Sequence, residues 1–179
     1  MTLFDRRIRA EWEMLLELAA NNPSRITGFE ADDSVFSVRL LATPALQLNG
    51  AGAYDSANII TEHTLRIDFP MHYPAVPLTL HLAHPVLHPN IHPKNGFVCL
   101  WTRHHLNHNV EHAMHKTVAM LGWRLYNTNA EHVMQPESLP LLQKHHDEWT
   151  SLLHAEPLQG LTHSSVIEPA TPLRRMRLS

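Results

Sequence analysis

Apolar residues recur at helical spacing close to the beginning of the chain. Ile8, Trp12, Leu15 and Ala19 follow this spacing, with charged residues between them. The pattern is typical of a helix that buries one face. The sequence Asn-Asn-Pro at residues 21–23 predicts where the helix ends, because proline cannot continue it.

A second kind of pattern follows, in which apolar and polar residues alternate with the period of a strand. It is clear at residues 36–40, 65–69 and 76–82, and weaker at 25–31. Each segment predicts a strand with one buried face. Since most links are short, a four-stranded antiparallel meander is expected rather than parallel βαβ units. The connection at 43–60, rich in Gly, Ala and Asn, predicts an exposed loop or an extended hairpin tip.

The second half of the chain begins with an irregular segment and continues with helices. Residues 84–95 contain three prolines, which are excluded from helix interiors and central strands. One helix is predicted at 110–126 and another from Ser138 onwards. Their expected buried residues are Met114, Val118, Leu121, Leu125, Leu142, Trp149 and Leu153. The predicted fold class is therefore α+β, with an N-terminal helix, a four-stranded antiparallel meander, an irregular segment and two C-terminal helices.

Length and composition indicate one globular domain. The 179 residues are 44% hydrophobic, which is ordinary for a folded protein. The final stretch turns to Pro, Ser, Thr and Arg. We therefore expect a domain at residues 1–156 and a flexible or partner-bound tail at 157–179.

Charge and hydropathy exclude several function classes. The net charge of −3 leaves no basic excess for binding nucleic acid. No window approaches the ~20 apolar residues of a membrane span, and the first residues lack the apolar stretch of a secretory signal. A single cysteine cannot form an internal disulfide and fits a reducing compartment, so a cytoplasmic location is expected.

An ordered set of short motifs spans residues 69–100. Phe-Pro, Tyr-Pro and a further proline fall within 69–77, His-Pro-Asn occupies 88–90, and Asn-Gly-Phe-Val-Cys-Leu occupies 95–100. This set, with the predicted order of elements, resembles the ubiquitin-conjugating enzyme family. The resemblance implies that family's fold and a transferase that carries a ubiquitin-like protein as a thioester on Cys99. It also implies an activating enzyme upstream, a target protein with an acceptor lysine downstream, and no cofactor.

Cysteine suits this chemistry because a thiolate is both a nucleophile and an acceptable leaving group. The residues around Cys99 at positions 97, 98, 100 and 101 are apolar, with no acid or base among them. The sequence therefore predicts a carrier thiol that is not strongly activated. The alternative is a buried core cysteine, which is the common fate of a lone intracellular cysteine.

Asn90 occupies the asparagine position of the family motif. The resemblance implies that its amide stabilises the oxyanion formed when lysine attacks the thioester, or braces the loop nearby. The alternative is that Asn90 only builds a turn through its own backbone, as asparagine commonly does.

The chain also departs from the family pattern. The interval from Asn90 to Cys99 is longer by one residue than in typical members. Where many members place an aspartate beyond the second helix, this sequence offers Glu131 and His132. Either could orient or deprotonate the incoming lysine, and His132 is favoured on pKa grounds. The alternative is a solvated surface pair.

Two loops that dock RING-type ligases in the family are unusual here. The Trp-Ser-Pro-Ala turn is replaced by residues 103–109, and Ala75 stands where many members have a large apolar residue. A standard RING partner is therefore not expected. Arg6, Arg7 and Arg9 match the basic first-helix face that family members present to the activating enzyme; the alternative is a solvated face.

Sixteen histidines are an unusual number for this length. Helical spacing could bring some of them together on one face, where imidazoles can chelate zinc. The candidates are His104, His105, His108, His112 and His115. No cysteine or well-placed carboxylate completes a known ligand spacing, so no metal site is predicted.

The cellular setting follows only from the resemblance. The departures favour a prokaryotic member, similar to components of antiphage operons that encode a ubiquitin-like protein, an activating enzyme, a conjugating enzyme and a protease. Two other interpretations stay open: a non-catalytic binding module of the same fold, and a histidine-rich metal-binding protein.

Overall fold

A computed structural model describes residues 2–48, 54–129 and 131–161, with only the backbone described at 54–57. Its elements, in chain order, are α1 (Leu3–Asn21), β1 (Ile26–Asp32), β2 (Val35–Leu40), β3 (Ala45–Leu48), β4 (Tyr54–Ile60), β5 (His63–Asp68), β6 (Thr79–Leu82), α2 (Val110–Leu121) and α3 (Ser138–Leu152). The predicted α+β fold is confirmed. Within the described ranges, no helix has the length and hydropathy needed to cross a bilayer.

The main sheet has four antiparallel strands in the order β1-β2-β5-β6. Alternate residues of its strands point into the core, so Phe36, Val38, Leu65 and Ile67 are buried. Helix α1 lies against the sheet and buries an apolar face whose members are Ile8, Leu15, Leu18 and Ala19. The predicted meander is thus confirmed, with a hairpin inserted between β2 and β5.

That hairpin occupies the connection predicted as an exposed loop or a hairpin tip. Strands β3 and β4 pair with each other in a separate two-stranded sheet, and Leu46 and Leu48 are buried. They belong to a second apolar cluster with Leu87, Trp123, Leu142, Trp149 and Leu153. The exposed-loop alternative is therefore wrong, because the leucines alternate with Gln47 as a strand requires. Residues 49–53 lie outside the described residues.

Two predicted elements are shorter than expected. The strand predicted at 76–82 begins at Thr79, since Pro77 has no backbone N–H to donate to a neighbouring strand. Helix α2 ends at Leu121 instead of residue 126.

The early end of α2 has a local cause. Gly122 is the C-cap, and Trp123 has a left-handed backbone with φ of 53°. The turn carries Trp123 into the second apolar cluster. Leu125, predicted as part of the buried helical face, is instead 39% exposed.

The beginning of the predicted tail packs on the domain. The amide of Asn22 exchanges two 2.8 Å hydrogen bonds with the backbone of Gln159, and Leu158 is buried. The N–H of Leu161 donates to the Glu111 carboxylate at 2.9 Å. Residues 157–161 are thus part of the folded unit, and the rest of the predicted tail, 162–179, lies outside the described residues.

Candidate active site

A glycine turn brings Cys99 to the edge of the main sheet. Gly96 has φ of +68°, and a Cβ on it would lie 2.0 Å from the carbonyl oxygen of Leu82. Only glycine fits this close approach. The turn lets the N–H of Leu82 donate to Gly96 and the N–H of Val98 donate to Leu80, at 2.9 and 2.8 Å. The residue next to Cys99 is therefore anchored to β6.

Asn90 holds the backbone of Cys99 on both sides. The N–H of Cys99 donates to the carbonyl of Asn90 at 2.8 Å, and Nδ2 of Asn90 donates to the carbonyl of Cys99 at 3.1 Å. The Oδ1 atom of Asn90 accepts from the N–H of Asn127 at 2.7 Å. Asn90 is 2% exposed. Its amide therefore fixes the relative positions of three chain segments, a wider role than closing a turn.

The thiol of Cys99 remains accessible. The residue is only partly buried, and it lines a pocket of about 170 Å³ together with Pro77, Phe97, Trp101 and His104. Partial burial raises the pKa of the Cys99 thiol, and the Lys116 ammonium opposes this with a smaller effect. The thiol is therefore less acidic than a free cysteine, and the residue is not fully buried in the core.

Lys116 of α2 is a site residue that the sequence reasoning missed. Its ammonium donates to the carbonyl of Leu100 at 3.1 Å and lies 4.5 Å from the centroid of the Trp101 ring. Burial lowers the pKa of Lys116, and the neighbouring Cys99 raises it by a smaller amount. A lone lysine in the predicted second helix was the available signal, but only the fold brings it to Cys99.

His88 holds the backbone of Asn90 through a hydrogen bond. It is fully buried, and its Nδ1 accepts from the N–H of Asn90 at 3.1 Å. Its ring lies edge-on to Trp123 with 4.9 Å between centroids. Burial lowers the pKa of His88 to about 3, against a weaker opposing effect of the Leu125 backbone. His88 is thus neutral near pH 7 and serves as a hydrogen-bond acceptor.

Gln135 holds the irregular segment through hydrogen bonds to its backbone. It is fully buried, and its Nε2 donates to the carbonyls of Val86 and Ile91 at 2.8 and 2.7 Å. The N–H of Met134 donates to the carbonyl of Pro89 at 2.7 Å. Residues on both sides of Asn90 are therefore held by the segment that precedes α3.

That same segment carries Glu131 and His132. Both residues are exposed, and their backbone N–H groups bond to Asn129. In the described part of the chain, neither side chain forms a hydrogen bond or ion pair with Cys99. The structure thus places them on the surface, in a segment anchored beside Asn90 through Met134.

The three predicted arginines of α1 divide into two kinds. Arg6 and Arg9 are exposed. Arg7 instead pairs with the buried Glu11 at 2.9 Å and lies over the Tyr73 ring at 5.4 Å. Arg7 therefore belongs at least partly to the interior, unlike its two neighbours.

Glu11 explains why Arg7 is held inward. One oxygen of its fully buried carboxylate accepts from the Tyr73 hydroxyl, and the other accepts from the N–H of Val110, both at 2.8 Å. Arg7 supplies the compensating charge that such a buried carboxylate needs. The network joins α1 to the loop before β6 and to the first residue of α2.

The predicted histidine cluster forms contacts within itself and with an aromatic ring. His108 stacks on Trp101 with 4.0 Å between centroids, and the rings of His104, His105 and His112 lie 5.3–6.0 Å from it. Burial, with help from Lys116 and neighbouring histidines, lowers the pKa of His108 to about 4. Over the described ranges, no three His, Cys, Asp or Glu side chains are grouped so that they could hold a metal ion.

The two unusual loops are joined by one of these histidines. The Nε2 atom of His104 bonds to the carbonyl of Pro74 at 2.6 Å, next to the exposed Ala75. Large apolar side chains nearby are also exposed: Met71 at 79%, Val76 at 45% and Leu106 at 66%. These exposed apolar side chains lie within the two loops or next to Ala75 in sequence.

The chain is similar to known proteins in its family pattern and in its fold. The family model for ubiquitin-conjugating enzyme matches residues 11–156. Comparison with curated protein sequences gives no match.

Solved structures share the fold. One is a candidate ubiquitin conjugating enzyme from Trypanosoma cruzi, with a TM-score of 0.58 and 19% identity over 83% of this chain and 95% of that one. Another is a candidate ubiquitin conjugating enzyme from Plasmodium yoelii, with a TM-score of 0.54 and 15% identity over 82% and 90% of the two chains. Because the identities are below 25%, these structures support the fold alone. The family model, which covers most of the chain, shows which family the chain belongs to. The chain belongs to the ubiquitin-conjugating enzyme family.

Proposed function

We propose that this protein accepts a ubiquitin-like protein from an activating enzyme as a thioester on Cys99 and transfers it to a lysine of a target protein. One observation carries the proposal. Asn90 holds both backbone polar groups of Cys99, while the thiol itself stays accessible in a pocket. A carrier needs this combination, because the acyl group must be presented in one orientation to large partners.

Each half of the reaction exchanges one bond for another. In loading, the Cys99 thiolate attacks the carbonyl of the thioester on the activating enzyme. A C–S bond to Cys99 forms, and the thiolate of the activating enzyme leaves. In discharge, a neutral lysine amine attacks the Cys99 thioester, a C–N bond forms, and the C–S electron pair returns to the sulfur of Cys99. The amine loses a proton in this step, so a base or water must accept it.

Asn90 is suited to stabilise the oxyanion that forms when the lysine amine attacks the Cys99 thioester. Its Nδ2 carries two hydrogens, one of which is used by the carbonyl of Cys99. The second can donate to negative charge that develops on the thioester oxygen. His88 and the N–H of Asn127 hold the rest of the residue, which supports this role because the amide is then kept in one orientation.

Glu131 and His132 are proposed to assist the incoming lysine. Their segment is anchored to Pro89 through Met134, which brings it beside the Asn90 loop. Imidazole is the side chain best suited to accept a proton near neutral pH, so His132 is favoured over Glu131.

The exposed Arg6 and Arg9 are proposed to contact the activating enzyme, whereas Arg7 is occupied by Glu11. A standard RING ligase is not expected, because Ala75 and residues 103–109 differ from the usual docking loops. A cytoplasmic location and a role in bacterial antiphage defence are proposed from the resemblance alone.

The decisive experiment is a loading assay with the cognate activating enzyme, the ubiquitin-like protein and ATP, resolved on a non-reducing gel. We expect an adduct that is lost with thiol reductant and absent in Cys99→Ala. In Cys99→Ser the adduct should resist reductant, because an oxyester replaces the thioester. An adduct that survives Cys99→Ala would contradict the proposal. Partner binding without any adduct would favour the non-catalytic module.

A second arm of the same assay separates the role of Asn90 from folding. Asn90→Ala should load nearly as well as the wild type and discharge to free lysine on the order of 10²-fold more slowly, as expected for a lost oxyanion donor. Asn107→Ala, at an exposed asparagine of the loop before α2, is the control and should discharge normally. Equal loss of loading and discharge in Asn90→Ala would indicate a folding role instead.

A further inference from the structure

Lys116 occupies an unusual position for a lysine. Its side chain is partly buried, and its ammonium is held by the carbonyl of Leu100 and the face of Trp101. These are the two residues directly after Cys99. The cation is therefore attached to the same stretch of backbone that carries the thiol.

Both contacts favour the charged form of the amine. A carbonyl accepts more strongly from an ammonium than from a neutral amine, and an aromatic face attracts a cation. Burial works in the opposite direction, because it penalises charge. A neutral side chain would pack on Trp101 without that penalty. The ammonium is therefore held where it can stabilise an anion that forms on this stretch of the chain.

Cys99 is the group that can supply this anion. Other titratable groups near it are His104, His88 and His108. His104 lines the same pocket and bonds to Pro74. His88 accepts a hydrogen bond from the N–H of Asn90, and His108 stacks on Trp101. The pKa values of about 3 for His88 and about 4 for His108 leave both neutral near pH 7. Among the described residues, the Lys116 ammonium is the one charged group that acts on the pKa of Cys99, and it lowers that pKa.

We propose that Lys116 is a positioning residue that holds a positive charge beside Cys99 and stabilises its thiolate. The proton of the ammonium is not transferred. If the proposed function holds, the same charge acts in both halves of the reaction: it favours thiolate attack during loading and thiolate departure during discharge.

The first test needs no partner protein. Because Cys99 is the only cysteine, the rate of alkylation by iodoacetamide between about pH 6 and 10 reports the thiolate fraction of this residue alone. Lys116→Gln keeps a donor for Leu100 but removes the charge, and Lys116→Arg keeps the charge. We expect Lys116→Gln to move the pH profile upward and slow alkylation near pH 7 by about three- to tenfold. Lys116→Arg should stay within about twofold of the wild type.

The matched control is Lys144→Gln, which changes an exposed lysine of α3. It should leave the pH profile unchanged. Lys116→Met, whose uncharged thioether chain can pack on Trp101, provides a second uncharged variant if Lys116→Gln melts early by circular dichroism. An unchanged profile in a folded uncharged variant would overturn the proposal. An equal shift in Lys116→Gln and Lys116→Arg would also overturn it, because packing and not charge would then be responsible.

The second test uses the loading assay. Lys116→Gln should load more slowly near pH 7 and recover as the pH is raised, because a larger fraction of the thiol then ionises without help. An isopeptide bond to Lys116 itself, found by mass spectrometry, would contradict the proposal, since the amine would then be a nucleophile. If the wild type forms no thioester, the proposed function fails, while the alkylation result still decides the role of Lys116.

Discussion

The main sheet and the active-site segment at 84–98 both contribute buried residues to the domain, but polar side chains do much more to hold the second. In the sheet, apolar side chains at alternate positions, such as Phe36 and Ile67, pack against α1. In the active-site segment, buried polar side chains bond to backbone groups. A regular element pairs its own backbone, whereas an irregular one must find partners elsewhere. His88, Asn90 and Gln135 are those partners.

The difference has a consequence for how each region responds to change. Apolar packing tolerates substitutions of similar volume, because it is not directional. A buried hydrogen bond has one geometry, and its loss leaves an unsatisfied group behind. The segment that positions Cys99 is thus held by directional hydrogen bonds in addition to its buried apolar residues.

The largest effect is expected in the sheet. Phe36 is 1% exposed and packs against the rings of Trp12 and Phe69 at 5.0 and 4.8 Å. Phe36→Ala should lower the free energy of unfolding by about 3–5 kcal/mol, through lost burial and the cavity that remains. Urea denaturation measures this. Leu16→Ala, at a 40% exposed position of α1, should change stability by less than about 0.5 kcal/mol. Similar losses in the two variants would contradict the assigned core.

An intermediate effect is expected from Gln135→Ala. The substitution leaves the carbonyls of Val86 and Ile91 without their donor. We expect a loss of about 1–3 kcal/mol in unfolding free energy. Hydrogen exchange of the Asn90 and Cys99 amides should also become faster, while exchange in β2 and β5 stays slow. Gln143→Ala, an exposed glutamine of α3, is the control. Unchanged exchange near Cys99 would show that Gln135 does not hold the segment.

The smallest effect near neutral pH is expected at His88, where it appears as a pH dependence. Its folded pKa of about 3 lies below the ordinary histidine value, so the unfolded chain binds the proton first. Stability from this residue is complete above about pH 6.5 and is lost as the pH falls towards about 3.

His88→Asn tests this dependence, because an amide oxygen can accept from the Asn90 N–H without titrating. We expect the slope of unfolding free energy against pH between about 4 and 6 to fall by up to ~1.4 kcal/mol per unit, the value for one proton. His146→Asn, at an exposed position, should leave the slope unchanged. An unaltered slope in His88→Asn would mean that His88 titrates normally in the folded protein.

The same contrast explains what could be predicted from sequence. Periodicity depends on neighbours along the chain, so α1 and the strands around Phe36 and Leu65 follow from it. The motif at 88–100 predicts Cys99 and Asn90 as site residues because its parts lie close together along the chain. Lys116 and Gln135 act on this segment from far along the chain, and no local pattern marks them. Arg7 resembles Arg6 in sequence, and only the fold places it on buried Glu11.

Leu125 illustrates a different limit. Its helical spacing from Leu121 predicts burial, but a left-handed residue at Trp123 ends the helix between them. Trp123 takes that conformation because its ring is required in the second apolar cluster. Tertiary packing thus overrides a local preference, which periodicity alone cannot anticipate.

The turn between Asn90 and Cys99 keeps these two residues in contact, and its length does not set the distance between them in space. Ile91 bridges Val98, and the N–H of His92 donates to the carbonyl of Phe97 at 2.8 Å, which closes the turn at its base. Lys94 and Asn95 are exposed beyond this closure. A change of one residue in the length of this turn could be absorbed there without moving the bonds between Asn90 and Cys99. A sequence search that demands a fixed interval between these two residues would therefore overlook proteins whose sites are geometrically intact.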